Sequence, residues 1–317
     1  MSESNNELYK EYSRNGRLIY EGGYFNGKYN GKGKQYNYFD GFLEYDGEFL
    51  DGKWNGKGKK YFIRKLDYEG EYENNLRNGN GKEYDSKGKL RFEGIYLNGK
   101  RWTGKGYNNE GIEEYELKEG NGICKDYNYF TGKLKFEGEY LKGKRNGKGK
   151  EYNDDNKLIF EGEYLNGEKW NGKGYDEHGN IIYELINGNG KVKEYRDNGR
   201  LIFEGEYLNG KRNRKGKEYN DDGRLIFEGE YLNGKINGKG KRYNWHGQLI
   251  FEGEYLNGQR NGKGKEYDYY NGKLVFEGEY LNGERNGEGK EYENGELKYE
   301  GEYLNGRRIK KIYLAHV

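Results

Sequence analysis

A short motif, typified by "LIFEGEYLNG", returns along nearly the whole chain at intervals of 23 to 25 residues. Its central glycine falls first at Gly22 and last at Gly301. Two intervals are nearly doubled, 44 residues from Gly94 to Gly138 and 43 from Gly162 to Gly205. Each of these holds a shortened copy, with "YEL" at Tyr115–Leu117 or Tyr183–Leu185 in place of the aromatic-Glu-Gly triplet. Eleven full and two short copies make thirteen units. A fixed period of this length marks an array whose units bury a core only against their neighbours.

Within one unit, Leu158, Phe160, Gly162 and Tyr164 share one parity, and Ile159, Glu161 and Glu163 share the other. Side chains alternate across a strand, so one face is apolar with a gap and the other carries carboxylates. Asn-Gly follows, and the chain returns through "GKGKEY". In the copy beginning at Phe136, Gly147 and Gly149 fall on one face and Lys148 and Lys150 on the other. Tyr152 is out of phase with those glycines, which requires either a bulge or a ring on the charged face. "NDDNK" or "NDDGR" then closes the unit as a turn. Each unit reads as a β-hairpin, and consecutive hairpins read as one antiparallel meander of about 26 strands. Glycine weakens a strand interior, so its regular return answers a steric need. Gly138, Gly162, Gly205, Gly229, Gly253 and Gly278 are expected to be slots in which an aromatic ring from a neighbouring strand lies flat.

Composition supports strands and excludes other classes. Only 31% of the 317 residues are hydrophobic, with 56 glycines and no proline, so a thick aliphatic core is out of reach. Disordered chains are equally polar but poor in aromatics, whereas here Phe, Trp and Tyr make up 17%. Charge is dense and balanced, 57 basic against 55 acidic residues, which removes the general electrostatic case for nucleic acid. Cys124 is alone, so neither an intrachain disulfide nor a multi-cysteine metal site is expected. "MSESNNELYK" lacks the pattern of a signal peptide and no apolar run reaches membrane-spanning length, so the expected location is cytoplasmic.

The run Tyr/Phe-x-Gly-x-Tyr, a short glycine-containing loop, Gly-x-Gly and a closing turn resembles the MORN repeat (membrane occupation and recognition nexus) in its variant form. The resemblance covers about residues 8–313. It departs in two respects: "GKGKEY" places its aromatic one residue late, and two units are short. The resemblance implies an all-β, elongated single array of hairpins, and a non-catalytic role as scaffold or linker of other macromolecules. Residues 1–18 would hold a half repeat, 19–306 the hairpins with short units near 112–134 and 181–201, and 307–317 a C-terminal cap. Aligning the loops puts Ile312 where a slot glycine stands, and Ile312, Tyr313 and Leu314 are expected to fill that slot.

Candidate catalytic residues are few. His178 and His246 sit in closing turns and His316 near the end of the chain, and Cys124 reads as packing. Asp154–Asp155 and Asp221–Asp222 suit Asx turns and lack the spacing of a calcium loop. No enzyme, cofactor or metal is expected. Loop charges are more suggestive. Lys100, Arg101, Lys144, Arg145, Lys211 and Arg212 occupy the "NGKRNG" loops, with Arg214, Arg260, Arg285, Arg307 and Arg308 in similar places. If these loops share one edge, they form a basic stripe, read either as solvated tips or as a site for an anionic partner. The leading expectation is an unidentified protein partner. The alternative is an anionic phospholipid surface, and the terminal edge could also join a homodimer.

Overall fold

The computed structural model describes residues 8–196 and 198–311. All regular structure in them is β, in 27 strands. The chain divides into two compact units, residues 1–156 and 157–317. In the first, β1 (Tyr9–Tyr12) through β10 (Glu113–Leu117) form one antiparallel meander, followed by β11 (Gly122–Tyr127), β12 (Leu134–Leu141) and β13 (Lys144–Tyr152). In the second, β14 (Leu158–Leu165), β15 (Glu168–Tyr175) and β16 (Ile181–Leu185) precede a continuous meander from β17 (Gly190–Tyr195) to β27 (Arg307–Lys311).

The hairpin of β20 (Leu225–Leu232) and β21 (Lys235–Tyr243) represents the repeat. Asn233 and Gly234 join its strands with φ of 50° and 85°. These are the values of a two-residue type I′ turn, which Asn-Gly adopts with little strain and which matches the strand twist. Gly229 stands opposite Gly240, and Glu228 opposite Lys241. Between Gly229–Gly240 and Tyr231–Ile236 the returning strand carries two extra residues, absorbed at Gly238 with φ of 100°. Glu230 accepts the Lys239 amide at 3.0 Å across this bulge. At the other end Asn244 closes the turn by accepting the amides of His246 and Gln248 at 2.9 Å each.

Alternation sorts the two faces. On one, fully buried Phe227 lies over the facing glycines; an added β-carbon on Gly229 would meet Gly240 Cα at 2.6 Å and Phe227 Cζ at 2.7 Å. The expected slot therefore exists, but two strands share it: the ring comes from the strand of one glycine and is the neighbour of the other. Tyr231 packs edge-on to Phe227 at 5.7 Å, and Tyr255 of the next hairpin packs edge-on to it from the other side at 5.6 Å. This herringbone continues through Phe251, Tyr280, Phe276 and Tyr303. Each such pair contributes about 0.5–1.5 kcal/mol beyond area burial.

The opposite face carries the Glu and Lys side chains, and the late tyrosine of "GKGKEY" belongs there. Tyr243 donates to Glu228 at 2.7 Å, and Tyr84, Tyr152, Tyr267 and Tyr292 do the same to Glu69, Glu137, Glu252 and Glu277. Strict alternation suffices to place these rings on the charged face. A register shift does follow, where each late tyrosine pairs with the leucine opening the next strand.

The short units interrupt the ladder in both units of the chain. Between β10 and β11 only the bridge Lys118–Asn121 remains, and between β16 and β17 only Ile186–Asn189. Leu117 and Leu185 stand where other strands have the slot glycine, opposite Gly104 and Gly172, and both are buried. Trp102 and Trp170 pack on the tight turns that follow: a β-carbon on Gly120 or Gly188 would meet those indoles at 2.8 and 2.9 Å. At the chain end, β27 pairs Lys311 with Gly301 and Arg308 with Tyr303. That register corrects the expectation that Ile312 faces the last slot. Ile312, Tyr313 and Leu314, the expected filling of the cap, lie outside the described residues.

Gly229 is not in the left-handed region, so replacing it tests the slot alone. Gly229→Ala is expected to destabilise the chain by about 1–3 kcal/mol in urea unfolding, because backbone on the facing strand cannot yield. Lys241→Ala, on the exposed face, should stay within about 0.5 kcal/mol.

Candidate functional site

The basic residues of the loops separate by position. Lys100, Lys144 and Lys211 open their strands as exposed tips, as does Arg307. Arg101, Arg145, Arg212, Arg260 and Arg285 turn inward and are half-buried on the ring face. Arg212 lies 4.1 Å from the centroid of the Phe203 ring. It also donates to Glu194 through Nε and Nη2 at 2.9 and 2.7 Å, and to Glu218 at 2.9 Å. Arg145 over Phe136, Arg260 over Phe251 and Arg285 over Phe276 repeat the arrangement at 3.9, 4.3 and 4.3 Å. Arg308, exposed, covers Tyr299 at 4.6 Å and pairs with Glu291. Where the residue is Trp54 or Tyr29, its ring stacks on Tyr45 or Tyr20 at 4.5 or 3.6 Å. The expected stripe of Lys-Arg pairs is thus corrected. These inward arginines form the third layer of a stack, above the ring and the glycines, because a planar guanidinium covers a ring and binds two carboxylates at once.

The strongest such cluster is in the first unit. Glu83 accepts from Arg101 at 2.7 and 3.2 Å, from Arg77 at 3.0 Å and from Tyr96 at 3.1 Å. Burial by itself would raise the Glu83 carboxyl, but Arg101 and Arg77 outweigh it and hold the pKa at about 2.

The charged face of the second unit forms a groove of about 1160 Å³. From Glu204 to Lys290 each strand contributes a charge, a glycine and a charge, and Lys191, Val192 and Lys193 precede them. Along one wall run Glu204, Lys217, Glu228, Lys241, Glu252 and Lys265; along the other run Glu206, Lys215, Glu230, Lys239, Glu254 and Lys263. The backbone at Gly205, Gly216, Gly229, Gly240, Gly253 and Gly278 lies between them as the floor. Sign alternates at each strand step from Glu204 to Glu279 because Glu strands face Lys strands there. Four of the expected glycine sites, Gly205, Gly229, Gly253 and Gly278, thus do double duty: slot on one side, groove floor on the other. Gly138 and Gly162 are slots of the same kind, their added β-carbons meeting Gly149 and Gly172 Cα at 2.6 Å.

No catalytic constellation accompanies this groove. His178 and His246 are exposed turn residues, as expected, and His316 lies outside the described residues. Cys124 is buried, its thiol pushed up to about 11 by burial and by Asp126, which disfavours the reactive thiolate. Among the described residues no three His, Cys, Asp or Glu side chains converge to hold a metal ion.

Two outcomes follow from the ring-face ion pairs. Arg212→Ala is expected to cost about 2–3 kcal/mol in urea unfolding, since it strands two carboxylates and uncovers Phe203, while Lys211→Ala should be nearly neutral. For Glu83 the folded pKa is depressed, so its contribution is complete above the ordinary carboxylate value and is lost as pH falls toward about 2. Melting temperature should therefore decline below about pH 4.5, and less steeply in Glu83→Gln.

No curated protein matches the chain. Among solved structures, the crystal structures of TcdB2-TccC3-Cdc42 and TcdB2-TccC3-TEV are both 12% identical, over 92% and 94% of this chain, with TM-scores of 0.16 and 0.19. The chain spans only 18% and 17% of those chains, and likeness at this level carries no argument. The MORN repeat family matches at residues 20–37, 45–63, 68–89, 136–157, 203–224, 227–244, 251–272 and 276–296, just over half of the chain. Those eight stretches are the hairpins whose returning strand carries two extra residues at the bulge. The units at 92–107 and 160–175, which carry one, fall outside the match, as do the short units and the last hairpin. With its repeat, its paired glycines and its hairpin geometry in agreement, the chain belongs to the MORN repeat family.

Proposed function

We propose that the protein is a non-catalytic scaffold that holds an extended segment of another polypeptide in the groove of its second unit. The balance of charge in that groove carries the reading: nine lysines line it against ten glutamates, alternating strand by strand from Glu204 to Glu279. Such walls do not concentrate anions, which weighs against a phospholipid headgroup as ligand. They suit a chain that offers carbonyls and acids to the lysines and amides and bases to the glutamates. The walls rise from residues two apart on each strand, so their backbones are about 7 Å apart. An extended chain fits there, whereas a helix of about 10–12 Å does not. A repeat family without catalytic machinery and a groove without a catalytic constellation both point to binding.

The test fills the groove without touching the ring face. Lys239 and Lys263 are exposed on its wall, and the variant Lys239→Trp/Lys263→Trp should melt as the parent does. Protein captured by the parent from a lysate and crosslinked to groove residues should be lost in the variant. Capture unchanged by the double substitution overturns the reading. Co-sedimentation with phosphatidylserine vesicles that is lost at high salt would move the function to a lipid surface instead.

A further inference from the structure

The repeats of the second unit are so alike that two departures stand out, one beside a groove wall and one on that wall. The first is Arg214. In the seven other hairpins of this type the bulge residue is glycine, with φ between 77° and 100°. Arg214 adopts φ of 56° there, in the left-handed region that glycine and asparagine enter readily and a long side chain enters at a cost. Its side chain is 70% exposed and its nearest charged neighbour is Glu206 of the wall, at 3.5 Å. Packing does not call for it. The second is Glu288, which occupies a place that Lys215, Lys239 and Lys263 hold in the preceding hairpins. Glu288 is consequently paired in register with Glu302, a like-charge pair that opposes strand pairing. With Glu279 on the preceding strand, three successive strands carry carboxylates at this level, Glu302 lying just past the groove lining and 3.7 Å from Lys310.

Each departure costs stability locally, and the two are opposite in sign. They are six strand steps apart, about 29 Å. An extended chain covers that distance in about eight or nine residues.

Resting on the polypeptide reading above, we propose that the groove is polarised. It takes an extended segment with acidic side chains at the Arg214 end and basic side chains at the Glu288–Glu302 end, eight or nine residues apart. The alternating walls between them bind any extended chain weakly, and the two ends select the charge pattern and fix its direction.

The probe is a pair of fluorescein-labelled synthetic peptides of about 12 residues. Both contain two Glu, two Lys and a Ser/Gly filler. One has the acids and bases at opposite ends, the other has them interleaved in the middle. Fluorescence anisotropy with the full chain at low salt is expected to show roughly tenfold tighter binding of the segregated peptide. Arg214→Gly and Glu288→Lys should each remove roughly three- to fivefold of that preference. Both variants restore the residue used by the other repeats, so both should melt no lower than the parent. That separates loss of recognition from loss of fold. Equal binding of the two peptides, or an undiminished preference in both variants, overturns the polarity while leaving the groove as a peptide site. If neither peptide binds, the polarity fails, and the Lys239→Trp/Lys263→Trp capture experiment decides the groove reading separately.

Discussion

A flat aromatic ring resting on two facing glycines is the contact on which this architecture depends. Each meander is a single sheet with no second layer to close a core. An ordinary side chain at either glycine would hold the ring off the backbone, and the added β-carbon would meet the facing strand at about 2.6 Å. With both absent, the ring lies down and the core is one ring thick. The Arg, Trp or Tyr plane above it then shields the ring from water. Every other regularity follows: the rings meet edge to face along the array, and each hairpin must repeat the same offset to keep the next ring in place.

The two faces use charge differently because their exposure differs. On the ring face, guanidinium groups and carboxylates are half-buried and multiply bonded, as at Glu83 and Arg212. Removing one partner there leaves another without compensation. On the groove face, lysines and glutamates are solvated, and pairs such as Lys290–Glu300 at 3.2 Å or Lys265–Glu277 at 3.8 Å contribute little each. Charges that are worth little to the fold are free to vary, which is why a change of sign at Glu288 is tolerated on this face and can serve recognition.

Irregular units mark where stacking is interrupted by design of the side chains. Leucine fills the slot at Leu117 and Leu185, the rings of Tyr115 and Tyr183 lie instead against Gly106 and Gly174, and the ladder shrinks to a single bridge. In both places the preceding hairpin carries one extra residue instead of two, and that residue is a tryptophan packed on the turn beyond.

Much of this was legible in the residues. Period and parity identify the hairpins, the slots and the charged face, because strand alternation is a local property of the backbone and glycine declares where a side chain is not tolerated. Counting narrowed Tyr152 to a bulge or the charged face, and its bond to Glu137 places it on the latter. The arginines could not. A loop Lys-Arg pair gives no sign that one side chain points to water and the other folds back over a ring on the preceding strand, because that choice depends on a carboxylate from the neighbouring hairpin. The register of β27 was equally hidden, since it turns on how many residues a bulge absorbs. Sequence by itself determined the repeat, its hairpins and which residues share a face, all of which follow from local backbone geometry. Only the tertiary structure decided which charges are buried partners and which line a groove, because those assignments are made between strands brought together by stacking.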